Sequence, residues 1–261
     1  MTAVTRHLQV PAIQPVAWVL GLTGHTHKKS VRWQTGHGAT IRPMPTQLSS
    51  IAVYCGSNPG FDPVFTSVTA SLGRLMAERG IRLVYGGAHV GLMGTIADAV
   101  LDNGGEAHGV ITRALEQTEI PHRGLNSLRV TDTMHERKAA MADAADAFIM
   151  LPGGYGTFDE FFEVLTWTQL GIHSKPCAIL DVAGFFDPLR TLLDGAVTAG
   201  FVRPAHRDMV IIDTDPARLL DQLAAWTPVQ VSKWLDRSER LSPAAGETGV
   251  RQRRDALGIA R

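Results

Sequence analysis

The sequence predicts an α/β protein built on a doubly wound, mostly parallel sheet with helices on both faces. Two features of the chain lead there. Short apolar runs alternate with helix-length amphipathic segments from residue 50 onward, the signature of repeated βαβ units with right-handed crossovers. Several of those runs end in glycine-rich turns, where open α/β sheets receive their ligands. The composition agrees: 261 residues, 44% hydrophobic and 19% charged, suffice for one sizeable globular core.

The elements follow in order. "SIAVYCGS" reads as the first strand, and residues 63–79 as a helix with Val64, Val68, Leu72, Leu75 and Met76 on one face, stopped by Gly80. "IRLVYGG" is the second strand, "VGLMGTIADAVLDNG" a helix closed by Gly104, and "EAHGVI" the third strand. A longer loop containing Pro121 leads to the strand "SLRV", a helix over residues 134–145 and the buried strand "AFIML". A helix over 157–170, the strand "PCAILDV", a helix over 187–199, the strand "DMVIID" and a helix over 216–226 complete the series. Phe161, Phe162 and Trp167 fall at helical spacing and read as core or subunit contacts.

The ends have a different texture. Residues 1–48 carry Pro11, Pro15, Pro43 and Pro45 without sustained periodicity and read as a flexible extension ahead of a domain over 49–226; Met44 is a candidate alternative start. Residues 227–261, rich in Arg, Ser, Pro and Ala, read as a solvated tail. His25 and His27 have no Cys or carboxylate at ligand spacing, so no metal is expected.

Lys plus Arg equals Asp plus Glu, 25 against 25, which argues against nucleic-acid or membrane-surface partners and makes any anion site local. Cys55 and Cys177 lie in apolar runs without metal or disulfide spacing, as in a reduced cytoplasmic protein. No stretch has the length of a membrane span, and "VAWVLGL" lacks the flanks of a signal peptide.

Chemistry should therefore lie at the strand-to-helix junctions. "YCGSNPG" offers Gly56 and the Ser57 hydroxyl. "YGGAHVGLMG" offers Gly86, Gly87, Gly91 and Gly94, where a ligand can approach the backbone. This spacing is neither G-x-G-x-x-G nor G-x-x-x-x-G-K-[ST], which disfavours a dinucleotide and P-loop hydrolysis. In "MLPGGYGTFDE", Gly153, Gly154 and Gly156 free backbone amides at a helix start, a cradle for a phosphate monoester. Thr157 and Glu160 have capping-box spacing, which competes with a catalytic reading of Glu160. In "MHERKAAM", Arg137 and Lys138 would put two cations in a first helical turn, where the dipole disfavours them unless an anion binds there. An Arg137–Glu160 pair suits a sugar phosphate: the carboxylate accepts ribose hydroxyls and the guanidinium grips an anion.

"PGGYGTFDE" and "MHERK" match the P-G-G-x-G-T-x-x-E and M-H-x-R-K signatures, and the chain resembles the LOG ("Lonely guy") family of cytokinin riboside 5'-monophosphate phosphoribohydrolases over roughly residues 50–226. The resemblance implies a Rossmann-like single domain. It also implies a hydrolase that cleaves the N-glycosidic bond of adenosine 5'-monophosphate, often N6-substituted, to free base and ribose 5-phosphate. It implies no metal or organic cofactor, and a homodimer with the site near the subunit interface. Arg137 and Glu160 take the catalytic positions. Ser57, Gly87, Gly91, Met134, Lys138, Gly153, Gly154, Gly156 and Thr157 take the substrate-binding ones. The old "lysine decarboxylase" label of the family would require a pyridoxal phosphate lysine, which no motif supports. The competing reading is a non-catalytic nucleotide sensor or carrier of the same superfamily.

Overall fold

In the computed structural model, residues 48–118 and 120–228 are described; the expected N-terminal extension, with His25 and His27, and nearly all of the tail lie outside them. Seven strands form one sheet in the order β4-β3-β2-β1-β5-β6-β7, and every pairing is parallel. The strands are β1 (Ser50–Tyr54), β2 (Arg82–Tyr85), β3 (Ala107–Thr112), β4 (Ser127–Thr131), β5 (Ala147–Met150), β6 (Cys177–Leu180) and β7 (Val210–Asp213). Chain order runs outward from β1 to one edge and then resumes beside β1 with β5. The crevice at that reversal, beyond the strand C-termini, is where such sheets bind ligands.

The apolar runs are continuous because these strands are buried on both faces. Ile51 and Val53 point into one core, shared with helices α1 (Pro63–Glu78), α2 (Gly91–Asp102) and α8 (Pro216–Ala224). Ala52 and Tyr54 point into the other, with Phe148, Met141 and Phe161. That second face carries α4 (Met134–Ala144) and α5 (Tyr155–Leu170). Helix ends follow local chemistry. Asp62 accepts the Val64 N–H at 2.9 Å ahead of Pro63, and Gly171, at φ 71°, closes α5 in the left-handed region.

The structure departs from the sequence expectation in places. The loop before β4 contains a short helix, α3 (Arg113–Thr118), and α7 (Pro204–Arg207) lies between α6 (Asp187–Thr198) and β7; both are too short for periodicity to reveal. Helix α5 starts at Tyr155, two residues before Thr157, because Gly154 serves as N-cap. The capping box is real but sits on α4: Thr133 Oγ1 accepts the Glu136 N–H at 3.2 Å, and Glu136 Oε2 accepts the Thr133 N–H at 3.4 Å. On α5, with Gly154 as N-cap, Thr157 and Glu160 both lie inside the helix and the expected capping pair does not form.

Candidate functional site

The rim of the crevice is held by the ends of β1 and β5. Leu151 N–H donates to Tyr54 O at 2.9 Å and Gly56 N–H to Pro152 O at 3.0 Å, so the two glycine-bearing turns lie side by side. Leu92 N–H donates to Gly56 O at 3.0 Å and ties in the start of α2.

Arg137 reaches this rim from α4. The capping box fixes the helix start, so Arg137 stands at the fourth helical position, its N–H bonded to Thr133 O at 3.1 Å. The first turn carries Glu136, which suits the dipole; the conflict expected from two cations at that end is thus resolved by a residue the sequence reading passed over. The Arg137 side chain is buried, at 6% exposure for the residue. Its Nε donates to Val110 O at 2.9 Å and its Nη1 to Glu160 Oε1 at 2.7 Å, with Met134 Sδ 3.4 Å from Nη1. A Cβ on Gly86 would lie 2.6 Å from Nη2 and 2.9 Å from Met93 Sδ. Glycine at 86 therefore admits the guanidinium, whereas the sequence suggested only space for a ligand.

Glu160 lies one turn into α5 and is largely buried with its partner. Burial holds its carboxyl above the ordinary glutamate value of 4.5, despite the Arg137 charge and hydrogen bond pulling the other way. The result is a carboxylate in a low-dielectric wall with one oxygen anchored to a fixed cation. Among the described residues, its Oε2 has no hydrogen-bond partner.

The turn before α5 divides its glycines by role. Gly154 and Gly156 are exposed, and a Cβ on either would meet nothing within 4 Å. Gly153 is packed instead: a Cβ there would come within 2.2 Å of Thr157 Oγ1 and 2.8 Å of Gly56 N. Thr157 is buried beneath the loop. The first α5 bond is Phe158 N–H to Gly154 O, leaving the amides of Tyr155, Gly156 and Thr157 at the helix start without intrahelical acceptors. Free amides at a helix start are suited to meet an anion.

The other predicted residues surround this arrangement. Ser57 is exposed on the loop after β1. Gly91, at φ +55°, packs so tightly that a Cβ would lie 2.4 Å from Ser57 C and 2.5 Å from Asn58 N; it supports the Ser57 loop from below. Gly87, at φ +80°, faces Leu128. Lys138 points to α5, its Nζ 3.1 Å from Asp159 and 3.2 Å from Glu163. Burial pulls its pKa down, but the hydrogen bonds that its ammonium donates to both carboxylates outweigh this and raise it. Sequence reasoning missed Gly86, Met93 and the Val110 carbonyl as the walls of Arg137, because contacts between separate βα units leave no local spacing.

The family model described as possible lysine decarboxylase matches residues 93–223. A cytokinin riboside 5'-monophosphate phosphoribohydrolase of Rhodococcoides fascians is 48% identical over 180 residues, covering 68% of this chain and 88% of that protein. An Arabidopsis thaliana phosphoribohydrolase of the same name is 45% identical over 183 residues, 70% of this chain and 86% of that one. Among solved structures, the molybdenum cofactor binding protein of Rippkaea orientalis superposes with a TM-score of 0.53 at 20% identity, over 69% of this chain and 98% of that one. The Moco carrier protein of Chlamydomonas reinhardtii gives 0.51 at 19%, over 69% and 99%. At such identities these two structures speak for the fold alone.

Proposed function

The chain belongs to the cytokinin riboside 5'-monophosphate phosphoribohydrolase family, and we propose from that premise that the Arg137–Glu160 pair and the α5 amides carry out the family reaction here. The protein is a hydrolase that releases the base from a nucleoside 5'-monophosphate. In our reading the substrate is adenosine 5'-monophosphate or an N6-substituted form, and the products are free base and ribose 5-phosphate.

The observation that carries the reading is the buried 2.7 Å contact between Arg137 and Glu160 at the sheet reversal, beside an open helix N-terminus. The 5'-phosphate takes the amides of Tyr155, Gly156 and Thr157, where Gly154 and Gly156 leave room for it. The ribose then faces Glu160. As the bond from C1' to the base nitrogen breaks, positive charge grows on the sugar ring, and the carboxylate stabilises it and orients the water that adds to C1'. The departing base nitrogen takes up a proton and the water that adds to C1' gives one up, so the two fragments together gain one water. Arg137 positions the carboxylate, since its Nε and Nη1 are occupied by Val110 O and Glu160. Gly87 and Gly91 shape the nucleotide-facing loops, Ser57 and Met134 border the substrate, and Lys138 serves as a strut between α4 and α5.

Decarboxylation through a lysine imine is the poorer reading. Such a lysine needs a neutral amine. Of the lysines among the described residues, Lys138 is held as an ammonium by two carboxylates, and Lys175 Nζ donates to Ala142 O at 2.7 Å.

The reading includes a homodimer, for which α6 is the candidate face, and a cytoplasmic location, in keeping with the free, buried thiols of Cys55 and Cys177. No helix among the described residues is long and apolar enough to cross a membrane.

The test is to incubate the purified protein with AMP and with isopentenyladenosine monophosphate and follow free base by chromatography. Release of base together with ribose 5-phosphate is expected. Binding of both nucleotides without release would replace this reading with that of a sensor or carrier.

A further inference from the structure

Outside the Arg137–Glu160 pair, His89, Asp98 and His122 converge from three segments: the loop after β2, the middle of α2 and the loop after α3. Asp98 Oδ1 lies 2.8 Å from His122 Nε2 and 3.8 Å from His89 Nδ1, and one ligand atom from each residue falls within 4.8 Å of the others. The two imidazoles meet edge to face with centroids 4.5 Å apart. Their backbones are pinned: His89 N–H donates to Ile120 O at 2.7 Å and His122 N–H to Gly87 O at 3.0 Å, on either side of a bridge between Ala88 and Pro121. His122 is buried, while the side chains of His89 and Asp98 are about half-exposed, so one side of the cluster is open to solvent.

We propose that His89, Asp98 and His122 form a binding site for a divalent transition-metal ion, separate from the catalytic pair. Two imidazole nitrogens and one carboxylate oxygen are the donor set that favours zinc, cobalt or nickel over magnesium and calcium. With metal–ligand bonds of about 2.0–2.1 Å, tetrahedral ligand atoms stand roughly 3.3 Å apart. The separations from Asp98 of 2.8 and 3.8 Å bracket that value, and all three ligand atoms lie within 4.8 Å of one another, so rotation of the half-exposed His89 and Asp98 side chains can close the remaining distance. Water fills the remaining positions on the open side.

The metal-free arrangement is itself hydrogen-bonded, and capture must undo part of it. Gly124 N–H donates to His122 Nδ1 at 3.0 Å, so neutral His122 carries its proton on Nε2 and donates it to Asp98. For Nε2 to bind an ion, that proton moves to Nδ1 and the Gly124 amide gives up its acceptor. Binding is thereby coupled to a rearrangement of the His122–Gly124 turn. No local spacing announces the site, because the ligands come from separate elements.

The test uses the full-length, untagged chain and Co²⁺ as probe, with uptake followed by visible absorption and by metal content after dialysis. One equivalent bound per chain and a rise in Tm with Co²⁺ are expected. Asp98→Asn and His89→Ala, both at half-exposed positions, should each weaken uptake at least about tenfold and abolish the Tm rise. The His25→Ala/His27→Ala double variant should bind as the wild type does. Absence of cobalt uptake by the wild type, equal uptake by Asp98→Asn and His89→Ala, or loss of uptake only in the His25/His27 variant would overturn the proposal. None of these readouts depends on hydrolysis.

Discussion

Glu160 carries the proposed chemistry, and its titration offers a prediction. Burial raises its carboxyl above 4.5 while Arg137 opposes the shift. If the ionised form is the working one, kcat should fall as pH drops, through an apparent pKa above 4.5, and Glu160→Gln should lack that limb. Stability moves the other way for this group. A carboxyl whose folded value is raised binds its proton more tightly in the folded state, so on its account stability increases as pH falls through that range. Acid loss of activity should therefore precede any loss of circular dichroism signal; simultaneous loss of both would assign the limb to unfolding. At this scale "MHERK" and "PGGYGTFDE" singled out Arg137 and Glu160, which the fold brings into contact. The sequence did not show that Glu160 would turn to Arg137 instead of capping its own helix, because that depends on α5 beginning at Tyr155.

At the scale of elements, the glycines separate binding from folding. Gly156 is exposed at the start of α5 with open space around it, so Gly156→Ala should leave Tm unchanged or raise it by a small helix-propensity gain of up to about 1 kcal/mol. Its effect should be a higher KM, because a methyl group intrudes where the phosphate sits. Gly91→Ala should do the reverse. Its φ of +55° and the backbone 2.4 Å from a would-be Cβ predict destabilisation by about 1–3 kcal/mol in denaturant titrations. A KM rise without loss of stability for Gly91→Ala would remove its supporting role. The strands and long helices were legible because burial on both faces makes apolar runs and because caps such as Asp62 and Gly171 are local. The helices α3 and α7 were not, since neither is long enough to show a helical period. Gly86 shows the same limit from another side: its need to be glycine arises from Arg137, far away in the sequence.

For the molecule as a whole, the alternation of strands and helices from residue 50 onward carried the sheet and its two covered faces, and two of the glycine-rich turns, after β1 and β5, lie side by side at the crevice rim. The strand order, which puts β1 beside β5 and so creates the crevice, came only from the tertiary pairing. Helix α6 buries none of its residues within the described chain, Leu192 is 68% exposed, and Phe201 just beyond is 88% exposed. Apolar side chains left so open on an amphipathic helix suit a subunit contact. Sedimentation should accordingly give a dimer for the wild type and a folded monomer for Leu192→Glu; a dimer unchanged by that substitution would place the contact elsewhere. The central claim is that the buried Arg137–Glu160 pair cleaves the nucleotide, and the most direct measurement compares AMP binding and turnover in Glu160→Gln and the wild type. The account predicts binding within a few-fold of wild type and a kcat lower by about 10²–10³, the cost of losing one preorganised transition-state contact. Near-normal turnover by Glu160→Gln with intact binding would contradict it.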